Sequence, residues 1–146
     1  MNNWKYKKKK VESIDDFPAN TLGFIYKITN HTNGKYYLGR KTAVSTGRKK
    51  LTIKEKKLPE NSRKKFKQVV RQSDWRKYWG SSKPLLEDIK KGDKCSREII
   101  KYCFSKAEIT YYETEAIMCS GALLDVKSYN AWVSAKIYKA HLLKNK

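Results

Sequence analysis

The order of apolar and polar positions predicts a β-hairpin in the first third of the chain. Residues 23–40 are rich in β-branched and aromatic side chains, and the turn signal Asn33-Gly34 interrupts them. Side chains alternate between the two faces of a strand. Tyr26 and Tyr37 therefore share a face if the loop has an even number of residues, whereas an odd loop or a bulge separates them. The sequence leaves both arrangements open.

The second half of the chain predicts a further strand and several helices. A helix is expected from about Pro84 to Lys91, because proline suits the first turn and Gly92 follows the last. Residues 96–104 favour a third strand. A capping-box pattern then predicts a helix from Lys106 to about Ser120, and the tail from Tyr129 is expected to form a turn and a short helix.

Two basic segments interrupt this pattern. We expect residues 1–20 to form a basic N-terminal arm, mobile along its lysine run, and residues 21–146 to form a single domain. Within that domain, residues 41–73 predict a long basic loop or insertion. The spacing of the apolar residues in 66–70 favours a short helix there.

Aromatic and basic residues alternate in residues 73–82. This composition suits contact with a nucleic-acid backbone combined with stacking on bases or sugars. The alternative is that Trp75, Tyr78 and Trp79 pack into the core at helical spacing.

Composition points to a polyanionic partner. The formal net charge is +20 and the sequence pI is about 9.9, which favours nucleic acid over a merely solvated lysine-rich surface. No apolar run approaches the ~20 residues of a membrane span, and no secretory signal is expected. Three cysteines without a C-x-x-C pair argue against a disulfide framework and a zinc site. We therefore expect a cytoplasmic protein with reduced thiols.

The helix predicted over residues 106–120 carries a carboxylate on its apolar face. Glu113 faces the core in this periodicity, whereas Glu115 faces solvent. A core-facing carboxylate is costly unless it is paired or binds a metal. It could hold a divalent cation at the rim of a basic cleft, form an ion pair with Arg40 or Arg48, or lie at the edge of the face. The predicted apolar face comprises Ile109, Tyr112, Glu113, Ala116 and Ile117.

Four short motifs together resemble the GIY-YIG nuclease family. Residues 24–26 and 37–39 resemble its two signatures, residues 112–117 its glutamate motif, and residues 129–131 its asparagine motif. The resemblance spans about residues 22–133. Residues 73–82 and the short C-terminal tail resemble more specifically the Seg-type endonucleases of tailed phages.

The sequence departs from the family pattern at two places. Phe24 stands where the family has its first glycine, unless Gly23 serves with a shift of one residue. The family's arginine position falls on Gly47, so Arg48 and Arg40 are both candidates.

The resemblance implies an α+β fold with a small three-stranded antiparallel sheet flanked by helices. It also implies hydrolysis of double-stranded DNA with one divalent ion, Mg²⁺ or Mn²⁺, held by Glu113. Arg48, or else Arg40, would stabilise charge on the phosphate. Tyr26 or Tyr37 would help to activate water, and Asn130 would brace the site by hydrogen bonds.

The remaining positive charge is expected to contact DNA, with no membrane and no obligate protein partner. A non-catalytic nucleic-acid-binding protein of the same fold is the alternative function, and a basic structural protein of a ribonucleoprotein is a third. The residues predicted to contact DNA are Lys7, Lys8, Lys9, Lys10, Lys41, Lys49, Lys50, Arg63, Lys64, Lys65, Trp75 and Arg76.

Overall fold

The computed structural model describes residues 3–144 and residue 146, so residues 1 and 2 of the predicted arm lie outside the described residues. Strands and helices alternate irregularly, as expected of an α+β fold. None of the helices in the described part of the chain is long and apolar enough to cross a membrane. The elements are β1 (Trp4–Tyr6), β2 (Lys9–Val11), β3 (Gly23–Asn30), β4 (Tyr36–Thr42), β5 (Val44–Lys50), α1 (Ile53–Lys56), β6 (Phe66–Gln72), α2 (Lys83–Lys90), β7 (Cys95–Cys103), α3 (Lys106–Cys119) and α4 (Lys139–Leu142).

The main sheet has five strands in the order β2-β1-β7-β3-β4, so the prediction of three strands is wrong. The three predicted strands, β3, β4 and β7, are present and antiparallel. The difference comes from the N-terminal segment, whose strand β1 pairs with β7 in parallel and with β2 in antiparallel orientation. The sheet is therefore mixed.

The basic N-terminal segment joins the sheet because Trp4 of β1 and Val11 of β2 are buried in the core. Trp4 is 1% exposed, and its indole Nε1 donates a hydrogen bond of 2.7 Å to the Trp75 carbonyl. Lys7 and Lys8 occupy the turn between β1 and β2 with positive φ angles. The lysine run thus stays in solvent while the tryptophan enters the core.

The two faces of the sheet are covered differently. On one face, the rings of Trp4, Phe24 and Tyr26 pack edge to face, with Trp4 lying 5.1 Å from Phe24 and 5.4 Å from Tyr26 between ring centres. On the other face, α3 packs through its buried residues Ile109 and Ile117. The helix begins as predicted after Ser105, whose hydroxyl accepts the Glu108 amide hydrogen.

Residues 44–72 form a two-stranded ribbon outside the main sheet, closed at its far end by α1 and a 3₁₀ turn. The helix predicted over 66–70 is wrong, because these residues form β6. Val69 and Val70 are β-branched and prefer a strand, and they pair with Gly47 and Thr46 of β5. We call this pair of strands the β5–β6 ribbon.

We expect Trp4→Ala to lower the free energy of unfolding by about 3–5 kcal/mol, since it removes a buried ring and its hydrogen bond. Urea unfolding would measure the loss. Lys5→Ala, an exposed change on the same strand, serves as the control and should shift stability by less than about 0.5 kcal/mol. Equal effects of the two changes would contradict the anchoring role of Trp4.

Candidate active site

An open cleft of about 550 Å³ runs along strand β4. β4 is an edge strand of the main sheet, so side chains from both of its faces border the cleft. Helix α3, the segment before α2 and the chain from residue 129 to 134 form the other walls. Five of the six residues predicted to be catalytic line it: Tyr26, Tyr37, Arg40, Glu113 and Asn130.

The two phenols share one face of the hairpin. Tyr26 pairs with Gly39, and Ile28 pairs with Tyr37, which is the arrangement expected for an even loop. The ring centres of Tyr26 and Tyr37 are 6.2 Å apart. Tyr36 lies on the other face, where its hydroxyl donates to Asp125 at 2.9 Å.

Two glycines make room for the Tyr26 ring. A Cβ atom at Gly39 would lie 2.5 Å from the Tyr26 hydroxyl, and one at Gly80 would lie 3.3 Å from it. Gly80 also has a φ of +88°, which side-chain-bearing residues rarely adopt. Both positions therefore require glycine if the phenol is to lie between these two backbone segments.

Burial disfavours ionisation of both phenols. Tyr26 is 1% exposed, and burial raises its pKa well above the ordinary value, with smaller contributions from Tyr78 and Tyr37. Burial also raises the pKa of Tyr37. Tyr37 is more accessible than Tyr26, and its hydroxyl lies 3.2 Å from the Ser81 Oγ. In this structure both phenols are therefore neutral hydrogen-bonding groups near neutral pH.

Glu113 faces Arg40 across the cleft. The Arg40 Nε lies 3.7 Å from the Glu113 Oε2, and the Arg40 Nη1 donates to the Thr110 hydroxyl at 2.8 Å. Burial raises the pKa of Glu113, and the Arg40 charge only partly opposes this. The ion pair expected as the structural alternative is thus present, but it lies in the open cleft, where a ligand can reach both groups.

Arg48 lies outside the cleft. It is an exposed residue of β5 on the β5–β6 ribbon, because the chain leaves the main sheet after the buried Ala43. The structure therefore places Arg40, not Arg48, beside Glu113.

Asn130 is hydrogen-bonded to the backbone of the edge strand. Its Oδ1 accepts from the Leu38 amide at 2.9 Å, and its Nδ2 donates to the Leu38 carbonyl at 2.8 Å. Leu38 lies between Tyr37 and Gly39, so these two bonds hold the part of β4 that carries Tyr37 and faces the Tyr26 ring.

Of the residues predicted to contact DNA, most are exposed. Trp75 is the exception, since it is 0% exposed in the aromatic core, and its predicted contact with DNA is wrong. Lys41 is half-buried, pairs with Asp74 and lies 4.0 Å from the Tyr78 ring centre. The exposed members are Lys7, Lys8, Lys9, Lys10, Lys49, Lys50, Arg63, Lys64, Lys65 and Arg76.

Sequence patterns missed a buried arginine that shapes one cleft wall. The Arg97 Nη1 donates to the carbonyls of Arg76 and Tyr78, at 2.9 and 2.8 Å. Its guanidinium lies 4.7 Å from the Trp4 ring centre and 4.2 Å from that of Trp79. Burial lowers the pKa of Arg97 to about 10, so it remains cationic near neutral pH. No local pattern marks this arginine, because its partners are distant in sequence.

A second missed residue stands at the lip of the cleft. Trp132 lines the cleft and is 74% exposed. Its position two residues after Asn130 is the signal that could have identified it. An exposed indole at this place is suited to stacking against a base or sugar.

The cleft offers one carboxylate to a metal ion. Among the described residues, no group of three or more His, Cys, Asp or Glu side chains could hold a metal, and Glu113 is the carboxylate that lines the cleft. Mg²⁺ usually keeps several waters and binds through one or two carboxylates and substrate phosphates. A single glutamate beside space for a phosphate fits that mode of binding.

A comparison with protein-family models places the whole central part of the chain in one family. The model described as "Putative endonuclease segE, GIY-YIG domain" matches residues 4–137, and so includes the N-terminal hairpin and the β5–β6 ribbon. A comparison with curated proteins found no match, and a comparison with solved structures found none either.

We expect Glu113→Gln to raise the free energy of unfolding at pH 7, since a half-buried carboxylate with a raised pKa is costly when ionised. A group whose pKa is raised on folding stabilises the fold at low pH and loses that contribution as pH rises through the folded-state pKa. The gain should therefore shrink as pH falls through the raised folded-state pKa, and it should be largely gone near pH 4, in the ordinary glutamate range. Urea unfolding at pH 4 and pH 7 would measure it.

The control is Glu115→Gln, an exposed change on the same helix, which should have little effect at either pH. A loss of stability in Glu113→Gln at pH 7 would show that the ion pair with Arg40 outweighs the cost of burial.

Proposed function

The chain belongs to the Seg-type GIY-YIG endonuclease family, and from that premise we propose that it is a metal-dependent endonuclease of double-stranded DNA. The family implies nuclease activity on DNA and a general dependence on divalent metal. The finer role we propose is that of a homing or mobility nuclease of a tailed phage, active in the host cytoplasm.

One observation carries the proposal. The cleft along β4 brings the Glu113 carboxylate, the Arg40 guanidinium and the phenols of Tyr26 and Tyr37 together at one edge of the sheet. Each group matches a need of phosphodiester hydrolysis: a metal ligand, a stabiliser of phosphate charge, and hydroxyls that position water. A net charge of +20 would draw the DNA backbone towards this surface.

Glu113 would hold the divalent ion, either Mg²⁺ or Mn²⁺. When bound, the ion supplies Lewis-acid activation of the phosphate and stabilises the leaving 3′ oxygen. Ionisation of Glu113 is a precondition, because a protonated carboxyl is a poor ligand for Mg²⁺. Since burial raises the pKa of Glu113, the neighbouring Arg40 charge helps to keep the carboxylate available.

Arg40 would turn its guanidinium towards the phosphate when DNA enters the cleft. It is about half exposed, so this movement requires no unfolding, and its planar donors suit phosphate oxygens. Charge that develops on the phosphate would then face a fixed cation.

Tyr37 would orient the attacking water through its hydroxyl, because it is the more accessible of the two phenols. Tyr26 is held between two glycines and would support Tyr37 rather than exchange protons itself. Asn130 would keep β4 in register so that both phenols face the same phosphate.

A non-catalytic DNA-binding protein of the same fold is the second candidate function. The direct contact between Glu113 and Arg40 favours it, since two paired groups are less ready to bind metal and phosphate. Cleavage assays distinguish the two functions.

We expect the protein to nick supercoiled plasmid in Mg²⁺ or Mn²⁺ but not in EDTA, and we expect Glu113→Gln to abolish cutting while DNA binding is kept. The amide keeps the shape of the side chain but is a poor ligand for a hard cation. Conversion of supercoiled to open-circle plasmid measures cutting, and mobility shift in EDTA measures binding.

Glu115→Gln is the matched control and should cut at the wild-type rate. Equal cutting by Glu113→Gln and wild type would remove Glu113 from the mechanism. Failure of the wild type to cut in any divalent metal, with binding intact, would favour the second function.

We expect Arg40→Ala to lower the cleavage rate at saturating DNA by about 100- to 1000-fold, the usual cost of losing one donor to developing charge. Arg40→Lys should restore part of the rate, because it keeps the charge but not the planar geometry. Single-turnover cleavage would measure both. A wild-type rate in Arg40→Ala would assign the role to another cation of the cleft, such as Lys83.

A further inference from the structure

The β5–β6 ribbon stands apart from the main sheet and has a strongly basic composition. Its two strands contain five basic and no acidic residues: Arg48, Lys49, Lys50, Lys67 and Arg71. We propose that one face of this ribbon enters the major groove of duplex DNA and recognises base pairs through Arg48 and Gln68. The proposal rests on the proposed function only in taking duplex DNA as the ligand.

The strand register separates the ribbon into two faces. Paired residues share a face, and pairs alternate along the strands. The pair Arg48–Gln68 therefore lies on the same face as Thr46–Val70 and Lys50–Phe66, which we call the outer face. All six of these residues are exposed.

The opposite face is partly covered. Gly47, Val69 and Lys67 lie on it and are half-buried. The Lys67 Nζ forms an ion pair of 2.8 Å with Glu55, which belongs to α1 in the segment connecting the strands. The connecting segment therefore occupies this face and leaves the outer face open.

The outer face carries apolar residues that folding does not explain. Val70 is 68% exposed and Phe66 is 46% exposed, at alternate positions between polar and basic neighbours. A ribbon that served only to hold phosphates would need no such side chains, whereas the thymine methyl group in the major groove offers an apolar contact.

The side chains of the outer face match the chemistry of base edges. The major groove admits a two-stranded ribbon, and within it arginine makes paired hydrogen bonds to guanine while glutamine does so to adenine. Threonine and apolar side chains contact the thymine methyl. Arg48 and Gln68 are cross-strand neighbours, about 5 Å apart at Cβ, so they would address adjacent base pairs.

The base of the β5–β6 ribbon is hydrogen-bonded to β4, the strand that carries Tyr37 and Arg40. The buried Ala43 donates its amide hydrogen to the Leu22 carbonyl, and its own carbonyl accepts from the Ser73 amide, each at 2.8 Å. The Ser73 hydroxyl donates to the Thr42 carbonyl at 2.6 Å. Base contacts made by the ribbon therefore position the cleft on the duplex.

The length of chain between Arg40 and Arg48 limits the distance along the DNA between the recognised bases and the cleaved bond. Arg48 lies eight positions after Arg40, and an extended chain of that length spans at most about 26–29 Å. One base pair rises about 3.4 Å. The scissile bond should therefore lie within about one helical turn of the recognised bases.

The test enriches bound duplexes from a random-sequence library in EDTA, where binding proceeds without cutting. Wild type should enrich a short motif that contains guanine and adenine at adjacent base pairs. Arg48→Ala should lose about 10- to 100-fold discrimination at the guanine. Gln68→Arg should change the preferred adenine to guanine at its position.

Lys49→Ala on the opposite face is the matched control. It should weaken binding to all sequences, reduce the slope of log affinity against log salt by about 1, and leave the motif unchanged. Thermal unfolding of the variants should match wild type, because all three side chains are exposed.

Three results would overturn the proposal: no enriched motif, a motif that Gln68→Arg leaves unchanged, or equal competition by double-stranded RNA, whose major groove is too narrow for the ribbon. Because the library is bound without metal, the outcome is independent of cutting. A motif without plasmid nicking would leave the ribbon proposal intact and refute the nuclease, and nicking without a motif would do the reverse.

Discussion

The candidate site depends on one constraint: β4 is an edge strand, and at Leu38 its outward backbone groups are bonded by a side chain. An uncovered edge is a site for pairing with another chain. Asn130 satisfies both the amide and the carbonyl of Leu38, and the chain that follows it forms a wall of the cleft. The same contact thus protects the edge and creates the concavity in which groups from two faces of the sheet meet.

The elements that the sequence predicted well are those determined by local pattern. The β3–β4 hairpin has a turn signal with strand-forming residues on both sides, and α3 has a cap and a periodic apolar face. The position of Glu113 followed from that periodicity alone. The sequence did not decide which arginine pairs with Glu113. The choice between Arg40 and Arg48 depends on where the chain leaves the main sheet, and the burial of Ala43 sets that point.

The elements that the sequence predicted poorly depend on distant partners. The run of lysines concealed β1, whose single buried ring meets the backbone at Trp75. The spacing of Phe66, Val69 and Val70 imitated a helix, although pairing with β5 makes them a strand. Arg97 acts through carbonyls of a segment some twenty residues earlier, which no periodicity can indicate. The charge and spacing of residues can be read within one segment, whereas its strand pairing depends on segments far away in the chain.

The parallel pairing of β1 with β7 has a consequence for the order in which contacts form while the chain is being synthesised. β1 is made long before its parallel partner β7, since Trp4 lies opposite Arg97. A nascent chain still on the ribosome can close the local hairpin quickly, but contacts between distant residues form late and slowly. Glu113 and Asn130 emerge later still, so the cleft groups assemble only after the chain up to Asn130 has been made.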